Sequence, residues 1–215
     1  MLNSHIVTSY DTLLNALYKQ IYELGCLSKE ALENAVLVFV KNDNQKAQEV
    51  IDNTYKFDDF EVDIKDRVIK LLALRQPVAD DLSFVVNSLK ISSELIRIGE
   101  LARSIAIHKM NMTKDIHPNM SFTITQMETV VQKMISLSLE ALDQNVQSNC
   151  PQVTQMDEEV NIAYNSLFRE LLTYMMENAE TIESCTHLMF ISRNLERAGD
   201  HAKNVARCVD VILSA

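Results

Sequence analysis

Glycine and proline are nearly absent, with three of each among 215 residues. That scarcity excludes a turn-rich β-protein and a linker-rich array. No apolar run approaches the roughly eighteen residues that a membrane-spanning helix needs. The opening stretch Met1–Val7 has no basic region followed by a long apolar segment, so it does not read as a secretion signal. The four cysteines, Cys26, Cys150, Cys185 and Cys208, are scattered and form no Cys-x-x-Cys. They read as reduced thiols of a cytoplasmic protein that needs neither disulfides nor zinc. Positive charge is also scarce: twenty basic residues face thirty acidic ones, a net charge of −10. Such a surface repels nucleic-acid phosphates and anionic membranes. It suits cations, or basic patches on protein partners.

What remains is helical in character. Hydrophobic residues make up 47% of the chain, enough for a sizeable core. Apolar spacing and breakers predict six helices, at about residues 9–41, 45–75, 80–110, 123–145, 153–178 and 182–213. Strain is expected near Gly25–Cys26. Pro77 should end the second helix, and Asp80 or Asp81 should cap the third. Residues 111–121 are the best linker, dividing the chain into units 1–112 and 113–215. Pro151 marks the junction between the fourth and fifth helices.

Two of the three glycines lie one hundred positions apart within near-copies of one segment, Glu94–Ala106 and Asn194–Ala206. Matching residue n with n+100 over Leu71–Ala106 gives ten identities in thirty-six without a gap, including Ile91/Ile191, Arg97/Arg197 and Gly99/Gly199. Glycine costs a helix interior about 1 kcal/mol relative to alanine, so its recurrence indicates a positional demand. Its missing Cβ would admit a neighbouring helix or leave room over an adjacent groove. The repeat indicates one helical unit written twice.

The final segment carries an a/d heptad seam: Leu188, Ile191, Leu195, Ala198, Ala202, Val205, Val209 and Ile212. The third helix repeats it with Ile91, Leu95, Ile98, Ala102 and Ile105. Such seams pack long helices at shallow angles. The fold expected is therefore all-α, two pseudo-symmetric three-helix bundles.

The chemistry concentrates in Glu196-Arg-Ala-Gly-Asp200. Residues four apart on a helix are neighbours, so Glu196 and Asp200 can converge on one hard cation through oxygen ligands. Helical phase turns both away from the seam, toward a bundle surface, where a solvated acidic face offset by Arg193 and Lys203 is the plainer reading. There is no Glu-x-x-His, which excludes a ferritin-like di-iron core. Glu183 and His187 form an i,i+4 pair too small to define a metal site. His201 is a further candidate ligand beside Asp200. Arg97 and Arg197 suit local salt bridges or a bidentate carboxylate or phosphate contact. Ile96, on the outward phase, reads as an exposed apolar residue or a partner contact.

With these residues in hand, the chain resembles the PhoU family of regulators associated with bacterial phosphate transport. The resemblance is carried by Leu71–Leu82, Lys90–Ser93, Tyr164–Met175, both glycine segments and the opening His5–Ile6 and Tyr10–Asp11. It implies twin three-helix bundles, often dimeric, without established catalysis, that repress the phosphate-starvation response. It also implies contacts with the ATPase subunit of a phosphate ABC transporter and with a sensor histidine kinase. Some members bind iron, zinc or other cations at acidic surface motifs. Carried over residue by residue, Glu196, Asp200 and Asp157 match, while Asn161 stands where an acid is usual. In the first half Asp58 and Glu100 are retained, but Thr54 and Ile96 replace their partners. Asn offers one neutral oxygen, Thr a hydroxyl and Ile nothing, so cation binding is expected mainly in the second half. The function expected is a non-enzymatic negative regulator. A generic helical adaptor is the alternative, and a surface metallohydrolase lacks a convincing base. No Gly-rich loop or basic pocket supports direct phosphate sensing.

Overall fold

The computed structural model describes residues 2–75, 80–113 and 118–214. These form α1 (Leu2–Lys41), α2 (Asn44–Asp52), α3 (Tyr55–Arg75), α4 (Asp80–Met110), α5 (Pro118–Gln144), α6 (Asn149–Glu177) and α7 (Ile182–Leu213), with a 3-10 turn at Ala179–Thr181 before α7. Among the described residues there is no strand. Helices α1, α3 and α4 make one three-helix bundle, with short α2 laid against α1 and α4; α5, α6 and α7 make the other. The bundles meet along α4 and α7, the two helices that carry the repeated glycine segment, and α1 also reaches α5. One hydrophobic core therefore runs through both.

The heptad seams become the centre of that core. Ile91, Leu95, Ile98, Ala102 and Ile105 of α4 are fully buried, as are Leu188, Ile191, Leu195, Ala198 and Ala202 of α7. Each buried Leu or Ile stabilises the fold by about 1.5–3 kcal/mol. Ile212, the last seam residue, is only half-buried near the end of α7.

Several boundaries differ from expectation for local reasons. α1 passes through Gly25–Cys26 without a break. Gly25 is there for a close approach: a Cβ would come within 2.6 Å of the Leu139 side chain of α5. The second expected helix is split at Asn53–Thr54. Asn53 Nδ2 donates to the Glu49 carbonyl at 2.8 Å and Thr54 Oγ1 to the Ile51 carbonyl at 2.6 Å, side-chain bonds that compete with the helical ladder. α5 begins at Pro118, inside the expected linker, because a first-turn residue has no intrahelical use for its amide. Pro151 lies in the first turn of α6 for the same reason, just past the break at 145–148 between α5 and α6 that it was expected to mark. Pro77 lies outside the described residues; Asp81 sits within the first turn of α4, so it is not its cap.

A chain so poor in glycine ends α1 and α5 with asparagine instead. Asn42 and Asn145 adopt φ of 55° and 56°, the left-handed conformation that asparagine tolerates better than most residues.

Candidate functional site: an acidic groove between α6 and α7

Helix α7 places Glu196 and Asp200 one turn apart on the flank facing α6, and α6 supplies Asp157 and Asn161 from its third and fourth turns. Asp157 is only 5% exposed, and one of its oxygens, Oδ1, is buried without a hydrogen-bond partner. Its Oδ2 accepts from Lys203 Nζ at 2.5 Å and from Asn161 Nδ2 at 3.4 Å. The same ammonium reaches Asp200 Oδ1 at 2.8 Å. Lys203 thus bridges the two helices.

Glu196 is less exposed than its helical phase predicted. Its side chain retains 12% of its accessible surface, against 50% for Asp200. Glu196 Oε1 accepts from Arg193 at 3.0 Å, while Oε2 is buried and unpartnered. Arg193 also stacks over the Tyr164 ring at 5.5 Å, which holds it in place. Burial pushes the Glu196 carboxyl upward; Arg193 opposes the shift, and Asp200 and Asp157 reinforce it. Burial works against the Lys203 charge, but hydrogen bonds and attraction from Asp157 and Asp200 prevail and hold its ammonium above the usual range.

The first-half counterpart is apolar. Ile96, expected on the outside, is 7% exposed and belongs to the core. The outward phase was correct for a lone helix, but α4 is flanked by other helices on that side as well. Phe57 of α3, 3% exposed, lies over Gly99 in the way that Asp157 lies over Gly199. Asp58 is exposed instead, and Thr54 spends its hydroxyl on the Ile51 carbonyl. Glu100 is exposed and paired with Arg97 on its own helix. The structure therefore brings Asp157, Asn161, Glu196 and Asp200 together and leaves Asp58 and Glu100 outside any equivalent cluster. The duplicated cradle is filled once by carboxylates and a lysine, and once by Phe57.

The two glycines answer different demands. A Cβ at Gly99 would fall 2.3–2.5 Å from Phe57 ring atoms, so close packing requires glycine there. At Gly199 the nearest atoms would lie at 3.6–3.7 Å, Asp157 Oδ1 among them, which is ordinary contact. His201 faces away from the groove: its Nδ1 lies 2.6 Å from Glu94 Oε2 on α4. Glu183 and His187 do not pair with one another. Glu183 accepts from Thr113 at 3.0 Å, while His187 Nδ1 lies 3.1 Å from His108 Nδ1.

An oxygen-liganded cation would be welcome at the orphaned oxygens of Asp157 and Glu196. The donor set nevertheless does not fit one. Among the described residues no three His, Cys, Asp or Glu side chains are grouped to hold a metal. The ammonium of Lys203 already occupies the position between Asp157 and Asp200.

A second feature escaped the sequence reading. Val62 and Ile162 are 60% and 63% exposed, and Leu72/Leu172 and Leu82/Ile182 repeat that behaviour one hundred residues apart. Both halves keep an aliphatic residue where the core does not need one. The n+100 match already paired the last two; only exposure separates them from core positions. Among the described residues no helix is long and apolar enough to cross a membrane.

Comparison with known proteins places this architecture. The family model for the PhoU domain matches residues 21–107 and again 124–209. Over 209 residues the chain is 35% identical to a phosphate-specific transport system accessory protein PhoU homolog of Caulobacter vibrioides (strain NA1000 / CB15N), covering 97% of this chain and 91% of that one. A protein of the same description from Rhizobium meliloti (strain 1021) is 33% identical over 218 residues, covering 97% and 89%. Among solved structures, PhoU from Pseudomonas aeruginosa superposes with a TM-score of 0.91 at 28% identity, covering 95% of this chain and 99% of that chain. With two domain matches, full-length relatives and a shared fold, the chain belongs to the PhoU family.

Proposed function

We propose that this chain is a cytoplasmic, non-enzymatic negative regulator of phosphate uptake and of the phosphate-starvation response. It works by contact with the ATPase subunit of a phosphate ABC transporter and with a sensor histidine kinase. The observation that carries this reading is the near full-length similarity to proteins named as accessory to phosphate-specific transport. The net charge of −10 suits basic partner surfaces, and complementary charge raises association rate and partner choice. The exposed aliphatic pairs on the outer helices α3 and α6 supply apolar anchors within that acidic surface. A generic adaptor would use the same anchors, but would not alter phosphate control.

Deleting the gene and measuring alkaline phosphatase in phosphate-rich medium tests the proposal. The expected result is loss of repression, restored by the wild-type gene. Unchanged repression would defeat the regulatory reading.

A further inference from the structure

We propose that the trough between α1 and α3 is a docking site for a basic amphipathic helix of a protein partner, which sets apolar side chains on Leu27 and Phe60 and lays lysines or arginines on the acidic rims. This deepens the regulatory reading and rests on it for the existence of a protein partner. The trough has a volume of about 590 Å3. Leu27 and Phe60 form its floor; both pack against the core yet stay half-buried. The ring of Tyr22, 39% exposed, stands at the edge. Glu23 and Glu30 of α1 and Asp59 and Asp63 of α3 supply the rims, all four exposed. These carboxylates face one ammonium, that of Lys56. Among the described residues none of the four is held in an ion pair. Along α1 the lining runs from Tyr22 to Glu30, about 12 Å or two helical turns. A helix of that length offers apolar side chains at i and i+3 or i+4 for the floor. Basic residues beside them would meet the rims, and such complementarity selects the partner. A second copy of this chain, with its net charge of −10, would bring mostly like charge.

The duplication supplies an internal comparison. The trough between α5 and α6, about 540 Å3, is the image of the first: seven of the nine lining residues of each pair at n and n+100. Phe122 stands for Tyr22 and Glu159 for Asp59. The floor is sealed there, since Met127 and Val160 are each 1% exposed. Val130 and Ala163 replace Glu30 and Asp63, which leaves Glu159 as the one carboxylate on that rim. Only the first trough couples an open floor with an excess of acid.

Cys26 lies in the α1–α3 trough and is the exposed member of the four cysteines, so its modification reports occupancy. The probe is an amidated lysine–leucine peptide of about fourteen residues with its leucines on one helical face, long enough to span the two turns. Its glutamate–leucine counterpart is the control. The full chain is titrated with each peptide, and maleimide modification of Cys26 is followed by mass spectrometry, relative to the peptide-free rate of the same variant. The lysine peptide should protect Cys26 saturably and the glutamate peptide should not. Protection should weaken at least about fivefold between about 0.05 and about 0.5 M NaCl. Glu30→Lys/Asp63→Lys should weaken it at least about fivefold as well. Glu158→Lys/Glu170→Lys, exposed on α6, changes the net charge equally and should leave it unchanged. Circular dichroism establishes that each variant is folded. Should the trough variant unfold, the two peptides and the salt series on the wild type still decide the matter. Binding of the lysine peptide without protection of Cys26, or equal loss in both variants, would overturn the proposal. So would protection that rises with protein concentration alone, which would assign the trough to a second copy of the chain. Each of these results leaves alkaline phosphatase repression untouched, so the docking site can fail while the regulatory reading stands.

Discussion

Replacing each repeat glycine by alanine should have opposite effects, although the two positions are equivalent in the duplication. Both lie inside helices at negative φ, so alanine gains about 1 kcal/mol of helix propensity at either site. At Gly199 nothing opposes that gain, since the new methyl would meet its neighbours at 3.6 Å or more. At Gly99 the methyl would lie 2.3 Å from Phe57 Cζ. Phe57 must then leave a position where it is 3% exposed, and overpacking of this kind costs about 1–3 kcal/mol. Gly199→Ala should therefore stabilise by up to about 1 kcal/mol, while Gly99→Ala is neutral to destabilising by about 2 kcal/mol. For a chain of this size a gap of about 2 kcal/mol separates melting midpoints by roughly 4–8 °C. Thermal denaturation followed by circular dichroism at 222 nm measures it. Phe57→Leu/Gly99→Ala, which lacks the clashing ring atoms, should recover part of the loss. Equal shifts at the two glycines, or a larger loss at Gly199, would refute the assignment of distinct roles.

Glu196→Gln should raise stability at neutral pH, because the amide removes a buried charge that burial and the neighbouring Asp200 and Asp157 disfavour. The gain should shrink as pH falls, since the wild-type carboxyl, held above its ordinary range by burial, then becomes neutral itself; urea melts at two pH values follow it. Burial, reinforced by His187, lowers the pKa of His108 below its ordinary 6.5. The folded state thus resists protonation: its contribution is intact above about pH 6.5 and is lost as pH falls through that value toward the depressed one. His108→Asn should flatten this part of the stability profile, and an unchanged slope would count against it. Val62→Asp and Ile162→Asp should change stability by less than about 0.5 kcal/mol, because both side chains are already largely in water. If the outer helices dock a transport component, the same substitutions should weaken copurification with transporter-bearing vesicles.

Much of the fold was legible because helical periodicity is a local property. The seams of α4 and α7 could be read residue by residue, and α7 begins and ends where its breakers predicted, at Ile182 and Leu213. The split at Asn53–Thr54 was missed because it depends on side-chain bonds rather than on a proline or glycine. The acidic pair was found from spacing alone, but its degree of burial was not. Phase around one helix gives a direction and cannot count the helices standing there. Ile96 and Glu196 occupy equivalent positions, and both are more enclosed than a single-helix projection allows.

The sequence by itself determined an all-helical, duplicated chain with an aliphatic seam and a carboxylate motif on its flank, because each follows from spacing along one helix. Only the tertiary structure decided what fills each copy of the cradle. Phe57 over Gly99 and the Asp157–Lys203–Asp200 bridge beside Gly199 join different helices. The free energy of a buried aromatic or a buried charge is set by the atoms that neighbouring helices bring to it, and no periodicity within one helix records those atoms.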